Sequence, residues 1–281
     1  MSKGDLTSNP VKRAIRRKIV EIFNDRERGE APVVRSRNAL LAPTSVAWRV
    51  HGDVASMMAG GIASLLLQML HPGVLAGVWD HSNFRTDMHG RLRRTARFIA
   101  TTTYADRSEA EAMIRHVRSV HDGVKGHLPD GAAYEANDPM LLAWVHVTET
   151  RSFLDAWIRY GEPWMSRGAQ DRYFAEMAVI GRALGAEPLP RTRAEADRMI
   201  ADMRPALRAD ARTAEVARLI LRPVATSRLA AVPGKLAAQA GVDLLPPWAP
   251  ALHGLSPSPL QAPLVRAGTL GVAQALRWAF R

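Results

Sequence analysis

Residues 54–79 contain no aspartate, glutamate, lysine or arginine, although such residues make up 23% of the chain. A stretch like this must either cross a membrane or be enclosed by the rest of the protein. His71-Pro72-Gly73 interrupts it, because proline lacks an amide hydrogen and clashes with the preceding helical turn. Ser56, Ser64 and Gln68 lie within it. The pattern predicts a buried helix from about Val54 to Leu70, then a turn and a second short helix. Other helices are expected to pack round them.

The rest of the chain agrees with that expectation. Its 281 residues are 47% hydrophobic but only 6% aromatic. Ala, Leu and Arg are abundant, and all three favour helices. No run alternates with a period of two, no internal repeat is visible and no linker divides the sequence. The expected fold is all-α, a single multi-helix domain over residues 1–281.

Ser8-Asn9-Pro10 reads as a helix start, with a cap residue before proline. A basic helix should follow to about Gly29. Residues 30–47 show little pattern and read as a loop. Helices are predicted at 90–104 and 108–126, the second capped by Asp106 or by a Ser108/Glu111 capping box. A long helix should run from Asn137-Asp138-Pro139 to about Tyr160, with others at 168–184, 192–219 and 263–280. Leu244-Leu245-Pro246-Pro247-Trp248 excludes regular helix at that point.

The formal net charge is +11 and there is no cysteine. Disulfides, thiolate ligands and cysteine nucleophiles are therefore excluded. The charge reads either as a solvated basic surface or as attraction to an anionic partner. No nucleic-acid-binding module is recognisable, so no nucleic acid is expected. Peripheral membrane contact through the basic termini is the remaining partner of that kind. MSKGDLTSNPVKR has no apolar core like that of a signal peptide, which gives a cytoplasmic expectation.

Several residues carry the chemistry. Met113, Val117, Val120 and Val124 form an apolar stripe, and His121 lies at its edge. His121 is either a core histidine bonded to a backbone carbonyl or a ligand, since neutral imidazole binds iron well. Arg91, Thr95, Phe98 and Thr102 share one helix face. A buried guanidinium stays charged. Arg91 should therefore either pair with a carboxylate such as Asp87 or, with Thr95, stabilise negative charge on bound oxygen. His146 and Glu149, one turn apart, are either a buried hydrogen-bonding pair or the start of a non-haem metal site. His71 and His81 are equally ambiguous. Walker, dinucleotide-binding, nucleophile-elbow and zinc-protease signatures are absent.

The run LLLQMLHPGVLAGVWDHSNF, then RLRRT, then VRSVHDGVKGHLPDGAAYEANDPMLLAWVHVTETRSFLDAWIRYG, and finally DLLPPWAP, resembles the MpaB-type oxygenase family. That family shares the catalytic domain of the latex-clearing rubber oxygenases. The resemblance covers roughly residues 45–275. It implies an all-helical domain that binds haem b, with its iron, between helices. Matched residue by residue, His121 falls at the proximal iron ligand, and Arg91 and Thr95 at the distal catalytic pair. Arg94 falls where rubber oxygenases carry a lysine, and Lys125 at a basic position near the haem. His146 is taken as a further cofactor-binding candidate. The family's distal glutamate has no counterpart, since no Glu lies between Glu30 and Glu109 and the acidic residues there, before Asp106, are Asp53, Asp80 and Asp87. The reading that follows is a haem-dependent oxygenase using dioxygen on a small apolar, lipid-like or terpenoid substrate. Its rivals are a non-haem metal enzyme built on His146 and Glu149, and a non-enzymatic basic helical protein that docks on membranes.

Overall fold

A computed structural model describes residues 9–25, 29–222 and 228–281 of the chain. In order these form α1 (Pro10–Phe23), α2 (Val46–His51), α3 (Val54–Gln68), α4 (Pro72–His81), α5 (Met88–Tyr104) and α6 (Arg107–Asp122). A two-stranded hairpin of β1 (Lys125–His127) and β2 (Ala133–Glu135) follows. The chain continues with α7 (Pro139–Tyr160), α8 (Arg167–Leu184), α9 (Arg193–Met203), α10 (Ala211–Leu221), α11 (Arg228–Asp243), α12 (Ala249–Leu252) and α13 (Ala262–Phe280). The fold is all-α, with the hairpin as its one small addition among the described residues.

The uncharged segment is the central helix α3. Ala59, Ala63, Leu66 and Leu67 are buried along it. Its main neighbour is α7, which buries Trp144, Val147, Phe153 and Leu154. The two backbones approach very closely at Gly60. A Cβ there would stand 2.9 Å from the Phe153 ring and 2.9 Å from the Ser152 carbonyl oxygen. Polar groups in this core are bonded internally. Gln68 Nε2 donates to Ser64 Oγ at 2.7 Å, and a nitrogen of buried His253 lies 2.9 Å from the Leu66 carbonyl. These bonds offset the cost of taking polar atoms out of water. Asp53 caps α3 through the Ser56 amide and holds Arg277 of α13 at 2.7 Å.

His71 caps the start of α4 by accepting from the Gly73 amide. There the chain turns through 103° relative to α3. Among the described residues no single helix is long and apolar enough to cross a membrane.

Several boundaries differ from the sequence reading. Helix α1 stops at Phe23 rather than near Gly29, because Asn24 is extended and its side-chain amide donates to the Val20 carbonyl. Residues 46–51, read as part of a loop and its flank, form α2. Its first amides donate to the Glu176 carboxylate of α8 at 2.9–3.1 Å. The expected helix over 108–126 ends at Asp122, and Lys125 lies on a strand. Asp106 alone caps α6, because the Ser108 hydroxyl is donated to Asp106 instead of forming a box with Glu111. The segment 192–219 is two helices, broken by a 3-10 turn containing Pro205 and restarted by the Asp210 cap. Helix α11 was not anticipated, because proline-rich flanks and Pro233 within it mask its periodicity.

The Gly60 contact gives a direct test. Gly60→Ala should destabilise the fold by about 1–3 kcal/mol, the usual cost of overpacking a close contact. Gly61→Ala, whose Cβ would meet only Phe153 Cε1 at 3.7 Å, should be tolerated. Urea unfolding of both variants checks the contrast.

Candidate active site

The first two turns of α5, the end of α4 and the last turn of α6 enclose a pocket of about 440 Å³, lined by His81, Ser82, Asn83, Arg91, Arg94, Thr95 and His121. Five residues singled out from the sequence are thus brought together: His81, Arg91, Arg94, Thr95 and His121. His146 and Lys125 are not among the lining residues.

Helix α5 starts at Asp87, whose Oδ1 accepts from the Gly90 amide at 2.7 Å. That bond, with Arg94 at 3.4 Å, keeps the Asp87 carboxyl below the usual carboxylate range. Asp87 is therefore the helix cap and the partner of Arg94, and not the partner of Arg91. Arg94 also donates to Asn83 Oδ1 at 3.2 Å. Arg91 donates to the neutral Ser82 hydroxyl at 3.0 Å. Among the described residues no carboxylate pairs with it. Burial and the neighbouring Arg94 charge lower its pKa to about 10. The guanidinium remains charged at neutral pH, in a setting that disfavours charge and supplies no counterion. Thr95 Oγ1 donates to the Arg91 carbonyl at 3.2 Å, which leaves its lone pairs to the pocket.

His121 is on the buried face of α6, although that face is not the one expected. Val120 is exposed, and the residues buried on α6 are Ala110 and Ile114. His121 continues this 110, 114, 117 spacing by a further helical turn. Burial is the largest influence on its imidazole and lowers the pKa, so the ring is neutral near pH 7. Nδ1 is buried without a formed hydrogen bond, and the Nε2 edge is left for the pocket. Sequence reasoning missed Ser82 and Asn83, and also Asn137, which lies beside His121. Their only signal in the sequence is proximity to His81 and to the start of α7.

The hairpin fixes the α4 end of the pocket. Tyr134 crosses over its strand partner Gly126, where a Cβ would come within 2.8 Å of the tyrosine oxygen. Its hydroxyl donates to Asp80 Oδ2 at 2.6 Å. Burial and this carboxylate raise the Tyr134 pKa to about 12. Asp80, His81 and Ser82 are thereby held against the hairpin.

His146 and Glu149 lie deep in the core of the fold instead. The α8 backbone at Gly181 packs on the His146 ring, where a Cβ would stand 3.0–3.1 Å from it. Burial lowers His146 to about 4 and raises Glu149 to about 7. Buried His51, bridged between Thr103 and Tyr173 at 2.8 Å each, is lowered to about 3 by burial. Among the described residues no group of three or more metal-ligating side chains forms.

With this geometry in hand, comparison with known proteins is informative. The family model described as "ER-bound oxygenase mpaB/B'/Rubber oxygenase, catalytic domain" matches residues 48–278. The chain belongs to this family of oxygenases. No curated protein and no solved structure matches it.

Glu149 yields a pH prediction. A carboxyl whose folded-state pKa is raised contributes stability that is full below its ordinary value and is lost as pH rises through the folded value. Glu149→Gln should therefore gain on the wild type by up to about 3 kcal/mol as pH rises from about 4.5 to above 7. Urea unfolding across that range measures the difference, and a pH-independent gap would contradict it.

Proposed function

We propose that the protein is a haem b-dependent oxygenase acting on a small apolar, unsaturated lipid-like or terpenoid substrate. The observation that carries this reading is the juxtaposition of Arg91, half-buried and without a carboxylate partner among the described residues, with the neutral His121 imidazole across one pocket. A structural arginine would be paired with a carboxylate, whereas Arg91 and His121 both line the same pocket.

The donor set fits the group. His121 offers a neutral imidazole with a free edge. Arg91 and Arg94 offer cations. Thr95 and Ser82 offer hydroxyls. Haem, when bound, supplies the oxygen chemistry, and the protein tunes it through axial ligation and nearby donors. His121 would hold the iron through its free edge. Arg91, already oriented by Ser82, would stabilise negative charge developing on oxygen, and Thr95 would join it by turning its hydroxyl from the Arg91 carbonyl into the pocket. Arg94, anchored by Asp87 and Asn83, keeps the Arg91 side of the pocket positive.

Substrate choice follows from the missing carboxylate. No acidic residue lines the pocket. Asp53 and Asp87 are helix caps with arginine partners, and Asp80 is held by Tyr134. The glutamate expected of a rubber-cleaving site has no stand-in. Haem-loaded protein incubated with polyisoprene latex should leave it intact, and carbonyl-ended fragments would overturn this part of the reading.

The variants separate the roles. His121→Ala should lose the Soret band with its helical content unchanged. Arg91→Ala should keep the band and lose about 100-fold or more in turnover, the usual effect of removing one donor to developing charge. A normal Soret band in His121→Ala would refute the ligand assignment.

A membrane partner is part of the same proposal. Helix α1 packs on α13, and Lys12 sits 5.0 Å over the Trp278 ring. Leu264, Leu270, Trp278 and Phe280 are exposed along and at the end of α13. Exposed apolar side chains on this helix, together with the nearby lysine of α1, suit an anionic bilayer surface. The protein should sediment with phosphatidylserine vesicles at low salt and not with phosphatidylcholine vesicles.

A further inference from the structure

Asn137 lies between β2 and α7, facing the last turn of α6. Its Nδ2 donates to the Arg118 carbonyl at 3.1 Å and to Asp122 Oδ1 at 2.7 Å. Both amide hydrogens are thus directed at acceptors. Exchanging the amide's oxygen and nitrogen would set an oxygen against two oxygens, so the orientation of this side chain is fixed by chemistry. The carbonyl Oδ1 must point the other way, where the neighbouring polar group is the His121 imidazole. Asn137 Oδ1 and His121 Nδ1 are both buried, and neither finds another partner among the described residues. A buried acceptor and a buried ring nitrogen left together satisfy one another in only one way, with the proton on Nδ1.

We propose that Asn137 is the positioning residue for His121: its Oδ1 accepts from Nδ1–H, fixes the tautomer and turns the Nε2 lone pair into the pocket. The further step, that this lone pair is the axial donor to iron, rests on the haem reading above. Metal-ligating histidines characteristically donate their other nitrogen in this way, which sets ring orientation and ligand basicity. The same amide caps the Arg118 carbonyl of α6, so one side chain fixes both the end of the helix and the direction of its last histidine.

The tautomer can be read without haem. Nitrogen-15 NMR of the full, haem-free chain should show His121 protonated at Nδ1 and unprotonated at Nε2. Asn137→Leu should lose that preference while keeping its helical circular dichroism. Wild-type His121 protonated at Nε2 would overturn the proposal, and this measurement does not depend on any variant folding. An unchanged tautomer in Asn137→Leu would overturn it equally. In the haem-loaded protein, Asn137→Leu should bind haem about 10–100-fold more weakly. Asn137→Asp, a stronger acceptor, should lower the iron midpoint potential, and Asn137→Leu should raise it. A merely structural role would not move the potential in opposite directions. A wild-type chain with the Nδ1–H tautomer but no Soret band on adding haemin would keep the Asn137 contact and refute the haem reading alone.

Discussion

The close approach of α3 and α7 at Gly60 governs the rest of the architecture. With no side chain at Gly60, the Phe153 ring and the Ser152 carbonyl come into direct contact with the α3 backbone. The apolar faces of the two helices are thereby buried on each other, and apolar burial of this kind dominates folding free energy. With α3 held in place, its break at His71-Pro72 sends α4 off at 103°. The end of α4 then meets the hairpin, where Tyr134 holds Asp80. The turn into α5 follows within a few residues. The pocket is therefore supported by a bend in the core helix and a short hairpin, and not by a flexible loop.

Charge is distributed unevenly about that pocket. The chain carries 38 basic and 27 acidic side chains; Asp122, the acid beside His121, accepts from Asn137, and Asp53, Asp80 and Asp87 are occupied elsewhere. Asp53 holds the start of α3 and Arg277, Asp87 holds the start of α5 and Arg94, and Asp80 holds Tyr134. Arg91 is left with a hydroxyl as its partner. A half-buried cation without a carboxylate partner gains nothing from pairing, so packing alone does not account for Arg91. Strained or uncompensated groups of this sort cluster at working sites.

Much of the helical frame was legible in the sequence, because helix signals there are chemical and local. Asn9-Pro10, Asp106 and Asp138-Pro139 all cap the helices they precede. The grouping of Arg91, Arg94, Thr95 and His121 came from one helix face and a family resemblance, and the pocket unites them. What the sequence hid was tertiary. Helix α2 is two turns long, too short for a period to register, and it is stabilised by a carboxylate from α8. The buried face of α6 was misjudged, since Val120 is apolar yet exposed while Ala110 carries the contact. The role of Asn137 could not be read at all, because its partners lie up to nineteen residues earlier.

Under the proposed reading, the contrast between His121 and His146 shows what a ligand position requires beyond a buried histidine. Both imidazoles are neutral, and burial lowers both, His146 more strongly. Neutrality alone therefore favours His146, yet a ligand must also present a lone pair to space large enough for the group it binds. At His146 the Gly181 backbone packs directly on the ring, and no further ligating residue joins Glu149 among the described residues. At His121 one nitrogen is buried beside an amide whose orientation is fixed, and the other edge borders a pocket of about 440 Å³ shared with an unpaired guanidinium. Access, tautomer and opposing charge together distinguish the two, and all three depend on what the last turn of α6 packs against.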